Sequence, residues 1–474
     1  MATDRGSLDR AADYLRSWLA YRYPYSNLTG YTVAISWRGE VVLNEAYGEA
    51  DVGEGTALTP GHVFRVASHS KTFTATALMQ LAEKERLRLD DRVVSFLPWL
   101  SAHSDRRFRQ VSLHQLLSHG GGVIRDGRDC DFWQLERPFP DAGQLREEVL
   151  GSHLVTEPNV ALKYSNIGYS LLGMVVEEAS GQTYSDYVID HIVKPLGLTS
   201  TGPEWQGRRS EAVTGHTRRD AKGERRAVPQ LSTRAMAAAT GFYSTAEELC
   251  RYFTAHMCGS RQLLSDASKR EMQRVQWHVH KPGSDLHEDY GLGLHLEEVG
   301  GRATFGHGGG FPGQITRSMA EAASGLAVVV LTNCADGPAS EMARGIFGVL
   351  DFFERHREPA RARWKGLEGR YANLWAVRDL VGAGLGLVAT SPDTWQPFKE
   401  CDKIEMVTRG TWRIADTGSF GSAGEPVTFT REGGVVKEAR FGGMSVWPEG
   451  QWADMEKRLV PGRRTARKIG APRD

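Results

Sequence analysis

The chain of 474 residues is 40% hydrophobic, and its 58 basic side chains balance its 58 acidic side chains. This length suits a large catalytic domain with a smaller appended domain. A net charge of zero argues against nucleic acid or an anionic membrane as the main partner, because both select basic surfaces.

The first elements of the chain are predicted to be a helix and a β-hairpin. Ser7 can cap a helix in which Leu8, Ala12, Leu15 and Leu19 recur at helical spacing. The apolar runs YTVAISW and EVVLNEAY follow, separated only by Arg38-Gly39. Two strands joined by such a pair indicate a tight hairpin.

A helical section from about Ser68 to Thr254 separates this hairpin from further strands. Their predicted ranges are Tyr290–Glu297, Arg302–Gly306, Gln314–Met319 and Leu326–Thr332. Glu341–His356 then predicts an amphipathic closing helix. Strands that flank a helical insertion predict an α+β fold, with a largely antiparallel sheet flanked by helices and a helical subdomain.

The composition changes after the charged linker REPARARWK, residues 357–365. Short runs rich in Gly, Thr, Val and Trp, such as TWRIAD and EPVTFTR, then alternate with turns. We therefore predict a catalytic domain at 1–356 and a small all-β, barrel-like domain at 366–465. The basic tail GRRTARKIGAPRD is interpreted as a solvated end.

The N-terminus and the cysteines indicate a cytoplasmic protein without a membrane partner. MATDRGSLDRAADYL lacks the apolar core of a signal peptide, and runs such as GLAVVVL are too short to cross a bilayer. The five cysteines are widely spaced, without a CxxC pair, as is typical of reduced thiols. The oligomeric state is left open.

The motif S-x-x-K occurs once, as Ser68-His-Ser-Lys71, before a run of good helix formers. Ser68 is thus predicted at a helix N-terminus, where the helix dipole favours a developing alkoxide. Lys71 lies one turn further on the same side and, when desolvated, can accept the serine proton. The alternative is a capping serine beside a solvated lysine.

The motif HGGG occurs twice, at His119 and at His307. In lipase-type hydrolases such a loop supplies oxyanion donors, but their nucleophile lies in G-x-S-x-G, which this chain lacks. The lipase interpretation is therefore excluded. Triplets of the form Y-x-N occur at Tyr25, Tyr164 and Tyr371, so this motif alone selects no site.

From Tyr31 to about Leu350 the chain resembles the penicillin-recognising serine hydrolases, in the branch of class C β-lactamases, D-aminopeptidases and esterases. The resemblance rests on FRVASHSKTFTATALMQLAEKERLRLDD, LKYSNIGYSLLGMVVEEASG and FGHGGGFPGQITRS. It implies the three ordered motifs of that family, S-x-x-K, Y-x-N and K/H-x-G, at Ser68, Tyr164 and His307.

The resemblance also implies roles for the site residues, without metal or cofactor. Ser68 is the nucleophile, and Lys71 and Tyr164 form a coupled base in which protonated Lys71 lowers the tyrosine pKa. Asn166 holds Lys71 and the substrate amide, and His307 is the catalytic histidine of the second HGGG copy. Gly308, Gly309 and Gly310 bind substrate, with the Ser68 and Gly310 amides as the oxyanion hole. The first copy, His119-Gly-Gly-Gly, is structural and forms a glycine-rich turn that ends a helix.

Two features depart from the common family pattern. His307 replaces the lysine usual in β-lactamases, and Gly308 replaces a threonine that helps bind a substrate carboxylate. The expected activity is therefore that of an amidase, D-aminopeptidase or esterase on small molecules or peptides. The alternatives are a penicillin-binding-protein-type thioesterase that cyclises peptides, and an inactive penicillin or peptide sensor.

Two further features admit more than one interpretation. The all-β domain is similar to the lipocalin-like domain of some of these hydrolases, or it is a stabilising cap without ligand. The loop WHVHKPGSDLHEDY holds His278, His280, Asp285 and His287. Such a group can bind zinc, but a charged loop bordering the cleft is the favoured interpretation.

Overall fold

The computed structural model describes residues 3–205, 207, 211–279, 288–358, 364, 366–384, 386–408, 411–417 and 422–460. The chain divides into two compact units. The larger is Asn27–Ala343, and the other combines Met1–Ser26 with Arg344–Asp474. In this division the first helix is grouped with the C-terminal residues. The predicted domain boundaries, 1–356 and 366–465, stay a prediction.

The larger unit contains thirteen strands in the part of the chain that the structure describes. They are β1 Gly30–Trp37, β2 Glu40–Asp51, β3 Thr56–Ala57, β4 Phe64–Ala67, β5 Gly215–His216, β6 Ala227–Val228, β7 Phe242–Ser244, β8 Trp277–Val279, β9 Glu288–Tyr290, β10 His295–Val299, β11 Arg302–Phe311, β12 Gln314–Glu321 and β13 Leu326–Thr332. Nine of them form one sheet in the order β3-β2-β1-β13-β12-β11-β10-β9-β8. All neighbouring pairs in it are antiparallel.

The α-helices between β4 and β8 lie in the predicted section from about Ser68 to Thr254, except α10, which lies beyond it. They are α2 Ser70–Glu83, α3 Val93–Phe96, α4 Leu113–Leu117, α5 Ala142–Leu150, α6 Asn166–Ser180, α7 Tyr184–Val188, α8 Ala237–Thr240, α9 Ala246–Ala255 and α10 Asp266–Met272. The sheet and these helices confirm the predicted α+β fold. The helix after the sheet, α11, runs from Ala339 to Arg355 and contains the boundary between the two units.

The sheet is built on local patterns that the sequence contains. The β1–β2 turn is Arg38-Gly39, and both residues have positive φ, 52° and 86°, as a two-residue hairpin turn requires. The fully buried strand β13 lies between β1 and β12. On one face of the sheet α9 packs closely, with the Cys250 thiol 3.5 Å from the carbonyl oxygen of Ala34.

One predicted strand is wrong. The range Tyr290–Glu297 contains two strands, because β9 ends at Tyr290 and β10 begins only at His295. Between them the Gly291 amide donates to the Leu294 carbonyl, and Gly293 has φ +73°. A side chain at Gly293 would also collide with Ala75 of α2. These two glycines thus allow the chain to reverse where it passes close to α2.

The second unit combines α1, Arg5–Ser26, with a closed eight-stranded barrel and α12, Glu449–Leu459. The barrel strands are β14 Gly369–Ala372, β15 Val377–Ala383, β16 Gly386–Thr390, β17 Cys401–Thr408, β18 Thr411–Asp416, β19 Pro426–Glu432, β20 Val435–Phe441 and β21 Met444–Pro448. Buried apolar side chains, including Trp364, Leu387 and Val427, form its core. The predicted all-β barrel is confirmed, and its likeness to lipocalins stays a prediction.

Helix α1 begins earlier than predicted. The Asp4 carboxylate accepts hydrogen bonds from the Ser7 amide and from the Ser7 hydroxyl, so Asp4 and not Ser7 satisfies the first turn. Further along, the Trp18 indole donates to the Pro392 carbonyl at 3.2 Å within the same unit. Among the described helices, none has the length and apolar composition that a bilayer crossing needs.

Candidate active site

Ser68 lies in the short turn between β4 and α2, as the S-x-x-K pattern predicts. The Lys71 amide donates to the Ser68 carbonyl oxygen at 3.1 Å, and helix α2 begins at Ser70, two residues after Ser68. Ala67 has φ +46°, a left-handed conformation that costs a residue with a Cβ free energy. The Ser68 side chain is partly exposed while its neighbours are buried, so it is presented at the start of the helix.

Lys71 is fully buried and makes three polar contacts. Its ammonium donates to Asn166 Oδ1 at 2.6 Å, to the Ala239 carbonyl at 2.9 Å and to Ser68 Oγ at 3.3 Å. Burial lowers the pKa of Lys71 well below its usual range. The lysine therefore has a larger neutral fraction than a surface lysine and can accept the Ser68 proton.

Tyr164 completes the group around Ser68. The Lys71 nitrogen lies 4.7 Å from the centre of the Tyr164 ring. Burial raises the pKa of Tyr164, and the neighbouring Ser68 hydroxyl opposes this shift. This direction is opposite to our expectation that protonated Lys71 lowers the tyrosine pKa. Tyr164 is thus a phenol at rest, and the proton has to be shared among Ser68, Lys71 and Tyr164.

Asn166 is the first residue of α6 and connects Lys71 to a carboxylate that the sequence analysis missed. Its Nδ2 donates to Asp126 Oδ1 at 2.6 Å, and the same oxygen accepts the Trp133 indole at 3.0 Å. The guanidinium of Arg125 lies 3.1 Å from the other oxygen. Asp126 therefore fixes the Asn166 amide with its oxygen toward Lys71, which confirms the predicted contact between Asn166 and Lys71.

The second HGGG copy lies in β11, beside the strand that leads to Ser68. Strand β10 pairs with β11 only as far as Gly306, and no described strand pairs with that edge beyond it. The two-residue turn between Phe311 and Gln314 makes them a closing pair, so the Phe311 amide points toward β12. Because amides alternate along a strand, those of Gly308 and Gly310 point to the open edge, where an oxyanion donor is needed.

We expect Gly309→Ala to destabilise the fold. A Cβ there would collide with the Val66 carbonyl oxygen, in the strand β4 that leads to Ser68, and with Thr316 Oγ1 in β12. Overpacking of this kind costs about 1–3 kcal/mol. Urea denaturation measures the loss. Gly310→Ala is the matched control, because its Cβ would meet only Ile315 Cδ1 at 3.7 Å. Equal stability of the two variants would contradict the close approach of β11 to β4.

His307 lies close to the site, and its hydrogen-bond partners are Gly308 and Tyr290. Its Nδ1 is 2.6 Å from the Gly308 carbonyl oxygen, and its Nε2 is 3.2 Å from the Tyr290 hydroxyl. Its ring centre is 6.5 Å from that of Tyr164 and 4.2 Å from that of His295. Burial lowers the pKa of His307 well below 6.5, so its ring is neutral at physiological pH.

The buried histidines predict acid lability. Burial lowers the pKa of His69 to about 4 and lowers that of His119 and His307 well below its usual range. Below about pH 6.5 the unfolded chain binds protons that the folded chain does not, so stability is complete above that pH and is lost as the pH falls. We expect the free energy of unfolding to decrease by about 4 kcal/mol per pH unit near pH 5.5, from three histidines that are almost fully protonated only in the unfolded chain. Urea denaturation at several pH values measures this slope, and a flat profile between pH 5 and 6 would contradict it.

The first HGGG copy follows α4, at the predicted helix end. His119 has φ +61°, and its Nδ1 accepts a hydrogen bond from the Ser165 amide at 3.1 Å. Its ring centre is 4.2 Å from that of Tyr164. The prediction of a helix-terminating turn is confirmed, but the side chain contacts a site residue, which sequence spacing did not reveal.

The predicted histidine loop is only partly within the described residues. His278 lies 2.9 Å from the Asp289 carboxylate. His280, Asp285 and His287 lie outside the described residues. Within the described part of the chain, no cluster of three or more His, Cys, Asp or Glu side chains could hold a metal ion.

Comparisons with known proteins agree with this geometry. The family described as Beta-lactamase matches residues 24–350. "Protein flp" of Staphylococcus aureus (strain MW2) is 29% identical over 175 residues, which are 37% of this chain and 35% of that protein. The chain thus spans about a third of the length of that relative.

Two solved structures are similar in fold. The octameric penicillin-binding protein homologue from Pyrococcus abyssi has a TM-score of 0.62 at 21% identity, over 92% of this chain and 99% of that one. The D-amino acid amidase from Ochrobactrum anthropi SV3 has a TM-score of 0.59 at 23% identity, over 71% of this chain and 98% of that one. The family match contains Ser68, Lys71, Tyr164 and His307, and on this evidence the chain belongs to the Beta-lactamase family.

Proposed function

We propose that the protein is a serine hydrolase that forms an acyl-enzyme on Ser68 and cleaves amide or ester bonds of small substrates or peptides. The observation that carries this proposal is the contact of the buried Lys71 amine with Ser68 Oγ at 3.3 Å. A capping serine beside a solvated lysine would place that amine in water. The position of the Lys71 nitrogen, 4.7 Å from the centre of the Tyr164 ring, supports the same assignment.

In the acylation step Ser68 Oγ attacks the substrate carbonyl carbon. The serine proton passes to the Lys71–Tyr164 pair as the new C–O bond forms, and the carbonyl oxygen becomes an oxyanion. The Ser68 and Gly310 amides donate to this oxyanion, a contribution worth on the order of a hundredfold in rate per donor. The pair then returns the proton to the leaving amine or alcohol as its bond to carbon breaks.

In the second step water attacks the acyl-enzyme. The Lys71–Tyr164 pair accepts a proton from the water. The bond between the acyl carbon and Ser68 Oγ then breaks, and the pair returns the proton to Oγ. No charge is lost or gained by the enzyme over the cycle. Because Asn166 is held by Asp126, the lysine keeps the same hydrogen-bond acceptor through both steps.

The residue types at the open edge favour amides and esters over peptides that end in a carboxylate. Gly308 offers no hydroxyl for a carboxylate next to the scissile bond. The D-amino acid amidase that shares this fold supports small D-configured amides as the first substrates to test. D-aminopeptidase and esterase activities share the same acylation step and stay within the proposal.

A fluorophosphonate probe and a substrate panel test the proposal. We expect covalent labelling, and turnover of D-phenylalanine amide and a p-nitrophenyl ester in preference to a peptide ending in D-Ala-D-Ala. L-phenylalanine amide and nitrocefin complete the panel. Absence of labelling would favour an inactive sensor. A preference for the carboxylate peptide would contradict the argument from Gly308.

A further inference from the structure

His119 occupies a place where the backbone disfavours it. It follows the last turn of α4 with φ +61°, a conformation that glycine and asparagine adopt at lower cost than other residues. Three glycines follow it directly in the sequence. The side chain is nevertheless an imidazole that is only 1% exposed. A buried ring at a strained backbone position indicates that the contacts of the ring stabilise the structure by more than the strain costs.

The contacts of His119 are made with the segment Tyr164–Asn166, at the start of α6. The Ser165 amide, which belongs to the peptide between Tyr164 and Ser165, donates to His119 Nδ1 at 3.1 Å. Ser165 is followed directly by Asn166, the hydrogen-bond acceptor of Lys71. The imidazole ring also packs on the Tyr164 ring, with 4.2 Å between ring centres. One side chain therefore holds both the backbone and the ring of the tyrosine.

The hydrogen bond also fixes the tautomer of His119. Because Nδ1 accepts from an amide, a neutral ring carries its proton on Nε2. No described residue accepts a hydrogen bond from Nε2. The charged groups that face the ring are Lys71 and Arg125, and the other rings are Tyr169, Tyr290 and His295. Both cations disfavour a protonated imidazole, so His119 adds no charge beside Tyr164.

We infer that His119 is a positioning residue for acylation, which fixes Tyr164 against Ser68 without transferring a proton. The inference rests on the proposed function. It differs from a helix-capping role, because a cap requires only the left-handed backbone conformation. It predicts that the imidazole matters for the rate of acylation, through the acceptor at Nδ1 and the contact with the tyrosine ring.

Three variants separate these contributions. His119→Gly keeps the backbone conformation and removes both the acceptor and the ring. His119→Asn tolerates the same φ and places an amide oxygen where Nδ1 accepts from Ser165. His114→Asn, on the preceding helix, is the control, because it exchanges the same residue types away from the site. Circular dichroism and thermal unfolding verify that each variant is folded.

We expect the rate of fluorophosphonate labelling to fall about a hundredfold in His119→Gly, as for a misplaced catalytic group. His119→Asn should be labelled at least ten times faster than His119→Gly, and His114→Asn should be labelled at the rate of the wild type. With an ester substrate, kcat should fall while KM changes little. Labelling of His119→Gly within threefold of the wild type, or His119→Asn no faster than His119→Gly, would overturn the inference while the proposed function stands. An unlabelled wild type would overturn both.

Discussion

Replacing Ser68 with alanine is expected to abolish fluorophosphonate labelling and to lower turnover by about 10⁴- to 10⁶-fold, as for nucleophiles of other serine hydrolases. The reason is that no acyl-enzyme can form without Oγ, whereas the fold does not depend on this partly exposed hydroxyl. Intact-protein mass spectrometry after incubation with the probe or an ester measures the effect. Ser101→Ala, at an exposed position, is the control.

This result has a clear contrary outcome. If Ser68→Ala still gains the mass of an acyl group from the ester, another residue is the nucleophile. Loss of labelling together with loss of the folded circular dichroism spectrum would show a structural role for Ser68, which its partial exposure argues against.

Replacing Lys71 with alanine or Tyr164 with phenylalanine is expected to slow acylation by about 10³-fold or more each. The double variant should lose little beyond the worse single variant, because residues that act as one unit are not additive. The physical basis is the shared environment of the two groups, because the Lys71 amine contacts Ser68 Oγ and lies 4.7 Å from the centre of the Tyr164 ring. Single-turnover acylation rates of the three variants measure this coupling.

A fully additive double variant would mean that the two side chains act at separate steps. The pH dependence gives an independent check. Since burial lowers the pKa of Lys71, the neutral amine is available at a lower pH than for a surface lysine. A rising limb of the acylation rate near the ordinary lysine pKa of about 10.5 would contradict the role of desolvation.

Local sequence patterns predicted those parts of the fold and site that depend on neighbours in the chain. The Arg38-Gly39 turn, the long strands of the sheet and the all-β character of the C-terminal domain follow alternation and turn chemistry. Ser68 and Lys71 are three residues apart at a helix start, so their contact follows from helix geometry. The open edge at Gly310 required the strand pairing, which a single sequence does not contain.

The features that were missed depend on contacts between distant segments. Asp126 lies in an irregular loop without a recognisable spacing, and only the folded chain brings it to Asn166. The raised pKa of Tyr164 results from burial, which spacing does not report. His119 was interpreted as a turn residue because its helix-terminating position is visible in the sequence, whereas its packing on Tyr164 is not.

The single strand predicted for Tyr290–Glu297 is wrong for a similar reason. Gly291 and Gly293 interrupt an otherwise continuous apolar pattern, and the reversal there depends on the close approach of α2. The apolar face of helix α1 does not by itself indicate which element the helix packs against. Its contacts, such as that of Trp18 with the Pro392 carbonyl, place it with C-terminal residues that are remote in sequence.

The most direct test of the account is the location of the covalent adduct on the wild-type protein. Trypsin cleavage after Arg65 and Lys71 releases the hexapeptide VASHSK, which contains Ser68 and Ser70. After reaction with a fluorophosphonate, fragment-ion mass spectrometry of this peptide assigns the modified serine. The account predicts a single adduct on Ser68. An adduct on Ser70, on another peptide, or on none would contradict it.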